Sequence, residues 1–313
     1  MATKYLVTGA TGGLGSSVLA TLLKLLPAPQ IIAGSSRAGK STLSTLNGTV
    51  ELRHVDFGNE EGMTRAFKDI DILFFVSAPI MDTETRINAH KNVVSAVKAS
   101  KVKHVYYSSL AFGGTGDCEV QLMEAHLTTE RLLKESGITF TSIREGVYAD
   151  AFPLFLNWYP SDPNQELRLP HSAAEGKWAL ASREELGEAT AKLMVKGGFD
   201  NEIVLFSGPE ALTLAELVEA VNEASGRNVS IKWVSNDEYI KYNFANDEGK
   251  KPEFFFHSWT TMFNGVAGGD AAHVSPLLQE TLGRRPLDAR QFVKDTLRKN
   301  RDYTWHQNYF KGL

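Results

Sequence analysis

The chain predicts an α/β fold, a doubly wound parallel sheet joined to a smaller, mainly helical C-terminal lobe. Three observations carry that expectation. The run Tyr5-Leu6-Val7-Thr8-Gly9-Ala10-Thr11-Gly12-Gly13-Leu14-Gly15 reads as a short apolar strand, a glycine-rich turn and the opening of a helix. Strand-like and helix-like segments then alternate through residue 144. The run Ile72-Leu73-Phe74-Phe75-Val76 is wholly apolar, as in a strand covered on both faces of a parallel sheet.

Taken in order, residues 4–8 form the first strand and 14–26 the first helix, which Pro27 and Pro29 stop because proline cannot continue the helical ladder. Residues 30–34 and 50–55 read as the second and third strands, 60–67 as a helix and 71–76 as the fourth strand. Helical spacing of Ile87, Val93, Val94 and Val97 marks a helix over 83–100, and 104–108 is the fifth strand. A glycine-rich loop (111–117) leads to a helix over 120–136 that ends at Gly137, then to a sixth strand over 139–144. Right-handed crossovers place any ligand at the carboxyl ends of these strands.

Beyond Arg144 the rhythm loosens. Phe152, Phe155, Trp158, Tyr159, Pro160 and Pro163 suggest that 152–170 is an excursion lining a pocket. Residues 178–181 read as a strand and 183–195 as an amphipathic helix. Segments 202–207, 214–225 and 230–233 read as a further strand–helix–strand unit with Thr213 as N-cap, and the chain from Asn236 onward as mostly helical. The expected organisation is a nucleotide-binding Rossmann domain over 1–150 and a substrate-binding lobe over 151–313, some of whose segments return to the sheet.

Bulk properties narrow the function. A chain of 313 residues with 42% hydrophobic and 10% aromatic residues suits an ordinary globular core. A net charge of −4 and the lack of any basic block argue against nucleic acid. The single cysteine, Cys118, points to a reducing compartment, and the early first strand leaves no room for a signal peptide. The longest apolar run is too short to span a bilayer, so a cytoplasmic protein that binds no membrane is expected, as a monomer or a homodimer. His171, His257 and His273 lack metal-ligand spacing, and no metal is expected.

The glycine turn carries the chemistry. Gly9 permits the tight turn, Gly12 leaves room for a phosphate, and Gly15 lets the helix pack on the strand. With Thr11, Gly13 and Leu14 they bring backbone N–H groups and a helix N-terminus together, which is where a pyrophosphate binds. The same kind of turn also occurs with nothing bound. After the second strand stands Gly34-Ser35-Ser36-Arg37, followed by Lys40, with no carboxylate for a ribose 2′-hydroxyl. Arg37 there suits the 2′-phosphate of NADP(H), or is simply a solvated loop arginine. Asp56 is placed to take the adenine amino group with Phe57 against the ring, or is an exposed turn aspartate. Ser77, Ala78 and Pro79 end the fourth strand where the nicotinamide ribose passes.

These residues resemble a known family. The Gly9-x-x-Gly12-x-x-Gly15 spacing is the short-chain dehydrogenase form, and with the basic residue after the second strand it resembles the NmrA-like atypical members. Residues 124–138 and the segment Ser142-Ile143-Arg144-Glu145-Gly146-Val147-Tyr148 are similar to type 2 NADPH:quinone oxidoreductases, in which an asparagine commonly stands where this chain has Glu145. The likeness extends through 173–177, 182–185 and 205–209 and weakens after residue 235. It implies NADPH binding that includes Glu145, Gly146 and Tyr148, and reduction of a quinone.

The usual Tyr-x-x-x-Lys proton relay of short-chain dehydrogenases is absent, and Leu122 and His126 hold that interval. A quinone accepts hydride to give a delocalised anion that water protonates, so proximity suffices. His126, oriented by Glu130, would donate to the developing oxyanion, or is a half-buried helix histidine. Ser108 and Ser109 reach the nicotinamide side or satisfy a loop. Tyr148 would cover the nicotinamide or the substrate, or belong to the core. Phe152 and Trp158, with Phe256 and Trp259 from the aromatic run near 254–263, would roof a pocket for a planar apolar acceptor, or pack the lobe. Two other readings fit the same residues. One is a non-catalytic NADP(H) sensor acting through a protein partner; the other is a biosynthetic reductase or isomerase with a dedicated substrate.

Overall fold

The computed structural model describes residues 2–36, 50–116, 118 and 120–305. Seven parallel strands form the main sheet: β1 (Tyr5–Val7), β2 (Ile31–Ser35), β3 (Glu51–His54), β4 (Ile72–Phe75), β5 (His104–Leu110), β6 (Thr139–Glu145) and β9 (Glu202–Phe206). Their order is β3-β2-β1-β4-β5-β6-β9, so the chain winds outward in both directions from the β1/β4 pair. The crevice therefore opens above the carboxyl ends of β1 and β4.

The strand residues alternate between two apolar layers. Tyr5, Val7, Phe74, Tyr106 and Ile143 meet α1 (Gly13–Leu25), α6 (Arg183–Lys196) and α10 (Leu277–Leu282). Leu6, Ile32, Leu73, Phe75 and Val105 meet α2 (Glu60–Ala66), α3 (Thr83–Ser100) and α4 (Glu124–Ser136). Each fully buried Leu or Phe on these faces contributes roughly 1.5–3 kcal/mol. Side-chain caps define the helix starts, with Asp82 accepting from Thr85 N–H at 2.8 Å and Asn59 from Gly62 N–H at 2.8 Å. The expected helix over 120–136 is broken: a short 3₁₀ turn at Gln121–Met123 precedes α4 and carries Leu122.

The second lobe has its own core. It contains α5 (Phe152–Leu156), α7 (Leu214–Ser225), α8 (Asn236–Asn246), α9 (Glu253–Ala267) and α11 (Ala289–Lys299). Thr213 closes a full capping box with Glu216 at the start of α7. Two small sheets complete the lobe: β7 (Glu166–Pro170) pairs in parallel with β11 (Ser230–Val234), and β8 (Lys177–Trp178) pairs antiparallel with β10 (Leu212–Thr213). The strand–helix–strand unit expected over 202–233 is thus divided. Its first strand edges the main sheet opposite β6, while its last finds β7, a strand inside the segment expected to line a pocket. Only Lys177–Trp178 of the strand expected near 178–181 forms, with an isolated bridge at Ala181 to Tyr148. No helix among the described residues is long and apolar enough to cross a membrane.

Candidate active site

A cleft of about 900 Å³ runs along the carboxyl edge of the sheet, from the glycine turn to Tyr148 and Trp305. At its first end, Gly9 adopts a left-handed φ of 59°, and Gly12 N–H closes the turn onto Gly9 O at 2.8 Å. A Cβ on Gly15 would overlap the Gly9 carbonyl, so α1 starts closer to β1 than any other residue allows. The first turn of α1 has no side-chain cap and no acidic residue, which leaves N–H groups facing the cleft. Thr11 and Ser35 hydroxyls lie 3.2 Å apart and tie the turn to the end of β2. Thr8 Oγ1 donates to Phe74 O and accepts from Val76 N–H, locking β1 to β4 at the switch point. Asp56 accepts from Gly58 N–H at 2.9 Å, and Phe57 stands edge-on to Phe75; both line the cleft below β3.

At the other end the groups come from many elements. Ser108, on β5, accepts from Ser77 N–H at 2.9 Å. His90, on α3, is fully buried and bridges two elements: Nε2 accepts from Ala78 N–H at 3.0 Å, and Nδ1 lies 2.7 Å from Thr129 Oγ1. Thr129 donates its own proton to Ala125 O, so His90 carries its proton on Nδ1. Burial, with Arg86 one turn away, holds His90 down at about 3, and it stays neutral. Arg86 donates Nε–H to Ala78 O at 2.7 Å, and its terminal nitrogens, in the cleft wall, have no partner among the described residues. Burial lowers its guanidinium from its ordinary value.

His126 is buried, yet lines the cleft. Its Nδ1 is hydrogen-bonded to Tyr107 OH at 2.9 Å. Burial, reinforced by Arg86, His90 and Arg144, keeps it well below the usual imidazole range. With the Tyr107 hydroxyl as donor, Nε2 carries the ring proton toward the cleft. Glu130 does not orient this ring, contrary to the sequence expectation. Its carboxylate is buried under Arg144, at 3.1 Å to Nε and 2.8 Å to Nη2, and also accepts from Ser109 and Ser142 at 2.8 Å each. A bidentate guanidinium outcompetes a neutral imidazole for a buried carboxylate. Arg144 also donates to Gly114 O at 3.1 Å and to Gly116 O, so the pair clamps the glycine-rich loop to the sheet.

Tyr148 lines the cleft and donates to Glu145 Oε2 at 3.0 Å. Its ring meets Trp305 edge-on at 6.5 Å. Arg183, at the start of α6, is paired with Asp150 at 3.2 Å, stacks its guanidinium 3.7 Å over Trp305 and reaches the glycine turn, where a Cβ on Gly13 would collide with it. Tyr303 donates to Asp150 O at 2.9 Å, holding the segment after α11 across the cleft.

The structure gathers most of the expected residues on one wall: Gly9, Thr11, Gly12, Gly13, Leu14, Gly15, Asp56, Phe57, Ser77, Ala78, Pro79, Ser108, His126 and Tyr148. Arg37 and Lys40, expected to set the cofactor preference, lie outside the described residues. Glu145 and Gly146 sit behind the wall, with Gly146 wedged against Ala179 O and donating to Phe206 O. The expected aromatic roof is absent. Phe152 stacks on Trp158 at 5.7 Å, Phe256 meets Tyr239 at 6.0 Å, and Trp259 stacks on Phe255 at 4.5 Å, all in the packing of the second lobe. These rings pack edge-on or stacked on one another within the aliphatic core of the lobe. The cleft's aromatics are Phe57, Tyr148 and Trp305. Sequence reasoning missed Arg86, His90, Arg183 and Trp305. The i, i+4 spacing of Arg86 and His90 after β4 was a usable signal; nothing local marks Trp305. Among the described residues, no group of His, Cys, Asp or Glu forms a metal cluster.

Comparison with known proteins adds the lineage. The NmrA-like family model matches residues 1–266. The chain is 44% identical over 311 residues to the "NmrA-like family domain-containing oxidoreductase flvB" of Aspergillus flavus, covering 98% of this chain and 99% of the relative. It is 31% identical over 238 residues to quinone oxidoreductase 2 of Escherichia coli, covering 74% and 78% respectively. Among solved structures, triphenylmethane reductase of Citrobacter sp. complexed with NADP(H) superposes with a TM-score of 0.82 at 30% identity, over 94% of this chain and 100% of that one.

Proposed function

The chain belongs to the NmrA-like family, and from that premise we propose an NADPH-dependent reductase that delivers hydride to a quinone or a similarly activated carbonyl or enone. It is an oxidoreductase, and NADP(H) is its cofactor. The residues fit that cofactor. The start of α1 offers unspent N–H groups with no acidic side chain to repel a pyrophosphate, held against the turn because Gly15 lacks a Cβ. Ser35 and Ser36 line the ribose side, Asp56 and Phe57 the adenine side, and Ser77, Ala78, Pro79, Ser108 and Tyr148 the nicotinamide side. When bound, the reduced nicotinamide supplies the hydride.

The observation that carries the acceptor class is what stands where a Tyr-x-x-x-Lys relay would be. Leu122 and a neutral His126 hold that wall, with Tyr148 and Trp305 beside them. This arrangement orients a flat acceptor and excludes water. The relatives named for quinones and triphenylmethane dyes point the same way, since both are conjugated and electron-poor. His126 would offer its Nε2 proton to the acceptor oxygen. The test follows NADPH absorbance with menadione and a cyclic enone, alongside calorimetric titration with NADPH and NADP⁺. Quinone-dependent loss of NADPH is expected. Tight binding of both nucleotides without turnover would instead support the sensor reading.

A further inference from the structure

Glu145 differs from every other acidic side chain near the cleft. It closes β6, is 1% exposed, and has no cation beside it among the described residues, because the neighbouring Arg144 is engaged by Glu130 and the glycine-loop carbonyls. Oε2 accepts from Tyr148 OH at 3.0 Å, and Oε1 has no partner among the described residues. An ionised carboxylate so placed lacks both water and a counter-ion. Glu145 does not reach the cleft, whereas Tyr148 does, so the phenol stands between the buried carboxyl and the ligand space.

We propose that Glu145 and Tyr148 form a proton relay opening onto the cleft, which equips the enzyme for acceptors whose oxygen or nitrogen must be protonated as the adjacent carbon takes hydride, such as an aldehyde, a ketone or an imine. The inference rests on the reductase reading above and extends its substrate class beyond acceptors, such as quinones, that water can protonate. A protonated Glu145 turns its O–H toward the phenol oxygen, which frees the Tyr148 proton to point into the cleft. When a carbonyl carbon has gained hydride, its oxygen holds the electron pair of the former π bond. The Tyr148 O–H bond breaks and an O–H bond forms on the acceptor. The Glu145 proton then passes to the phenolate oxygen. Water in the emptied cleft returns a proton to Glu145 by way of Tyr148.

The surroundings are consistent with a carboxyl that stores a proton. Burial pushes Glu145 up to about 8, against a smaller lowering by the Tyr148 hydrogen bond. Burial, then Glu145, also drives the Tyr148 phenol well above its ordinary value, so it keeps its proton until an acceptor takes it. The other charges facing the pair are Arg183 from α6, which Asp150 neutralises, and Arg86 from α3 across the cleft. Neither cation touches Glu145.

The deciding experiment has two readouts on the intact chain. Infrared spectroscopy of the cofactor-free protein should show a protonated-carboxyl stretch that titrates near pH 8. That band should be missing in Glu145→Gln and retained, shifted, in Tyr148→Phe. The pH profile of benzaldehyde reduction should fall above the same pH in the wild type. In Glu145→Gln it should be flat and lower by about 10²-fold, as expected for loss of a general acid, with a smaller loss for menadione. A carboxyl band unchanged in Glu145→Gln, or a variant that keeps the wild-type pH profile, overturns the relay. Should the wild type oxidise no NADPH with any of these acceptors, the reductase reading fails, and the infrared titration still decides whether Glu145 stores a proton behind Tyr148.

Discussion

The two ends of the cleft are assembled in different ways. At the phosphate end the backbone N–H donors come from one run, residues 9–15, and their geometry follows from glycines and a helix start. At the acceptor end, Arg86, Ser108, His126, Tyr148, Arg183 and Trp305 come from as many separate segments, held by buried hydrogen bonds. A local site is exposed to any substitution that adds a Cβ. A distributed one depends on the network behind it, and each member carries a smaller share. Substitutions at the two ends test that contrast.

The largest effect is expected at the phosphate end. Gly15→Val places carbon atoms against the Gly9 carbonyl, with only backbone there to yield. Calorimetry should detect no NADPH binding, and the protein should melt well below the wild type; normal affinity would refute the local account. Next comes the clamp behind the acceptor end. Arg144→Met leaves the Glu130 carboxylate buried without its cation, which should destabilise the fold by about 3–5 kcal/mol in a denaturant titration. A loss below 1 kcal/mol would mean that the network is not holding the site.

Two buried groups set the pH dependence, with opposite signs. Glu145 is raised to about 8 from 4.5, so its stability contribution is full below pH 4.5 and is lost as pH rises through 8. His90 is lowered to about 3 from 6.5, so its contribution is present above pH 6.5 and is lost as pH falls through 3. The two windows overlap between pH 4.5 and 6.5, where the opposing slopes cancel, so melting curves across pH should be highest there. Glu145→Gln should flatten the alkaline limb and His90→Gln the acid limb, each by roughly 1–3 kcal/mol. An unaltered limb in either variant would show that the group titrates normally in the fold.

Smaller effects should separate the ends functionally. Arg86→Ala removes a guanidinium without a carboxylate partner among the described residues, and should raise the KM for an acceptor about tenfold or more with little change in NADPH affinity. Trp305→Ala removes the ring on which Arg183 stacks, and should weaken NADPH binding by about threefold to tenfold. Reversal of these two patterns would place the functional boundary of the cleft elsewhere.

Much of the first end was legible in the residues themselves. Gly9, Gly12 and Gly15 mark a turn that only their spacing permits, and the first six strands of the sheet emerged from hydrophobic period and proline or glycine breaks. The aromatic run was misleading for a physical reason. Phe152, Trp158, Phe256 and Trp259 have the composition of a binding surface, but composition does not distinguish rings facing a ligand from rings facing each other. Glu130 misled similarly: one turn from His126 on a helix, it turns to Arg144, which the chain reaches only through β6.

By itself, the sequence determined the alternating layers, the dinucleotide turn and the absence of the usual tyrosine–lysine relay. These depend on contacts a few residues apart, or on which residue types are present. Only the tertiary structure decided that Glu145 is sealed behind Tyr148, that Arg183 lies over Gly13, and that residues 303–305 cross the cleft. Burial and charge pairing are properties of neighbours in space, and those neighbours lie far apart in the chain, as Tyr303 and Asp150 do at a separation of 153 residues.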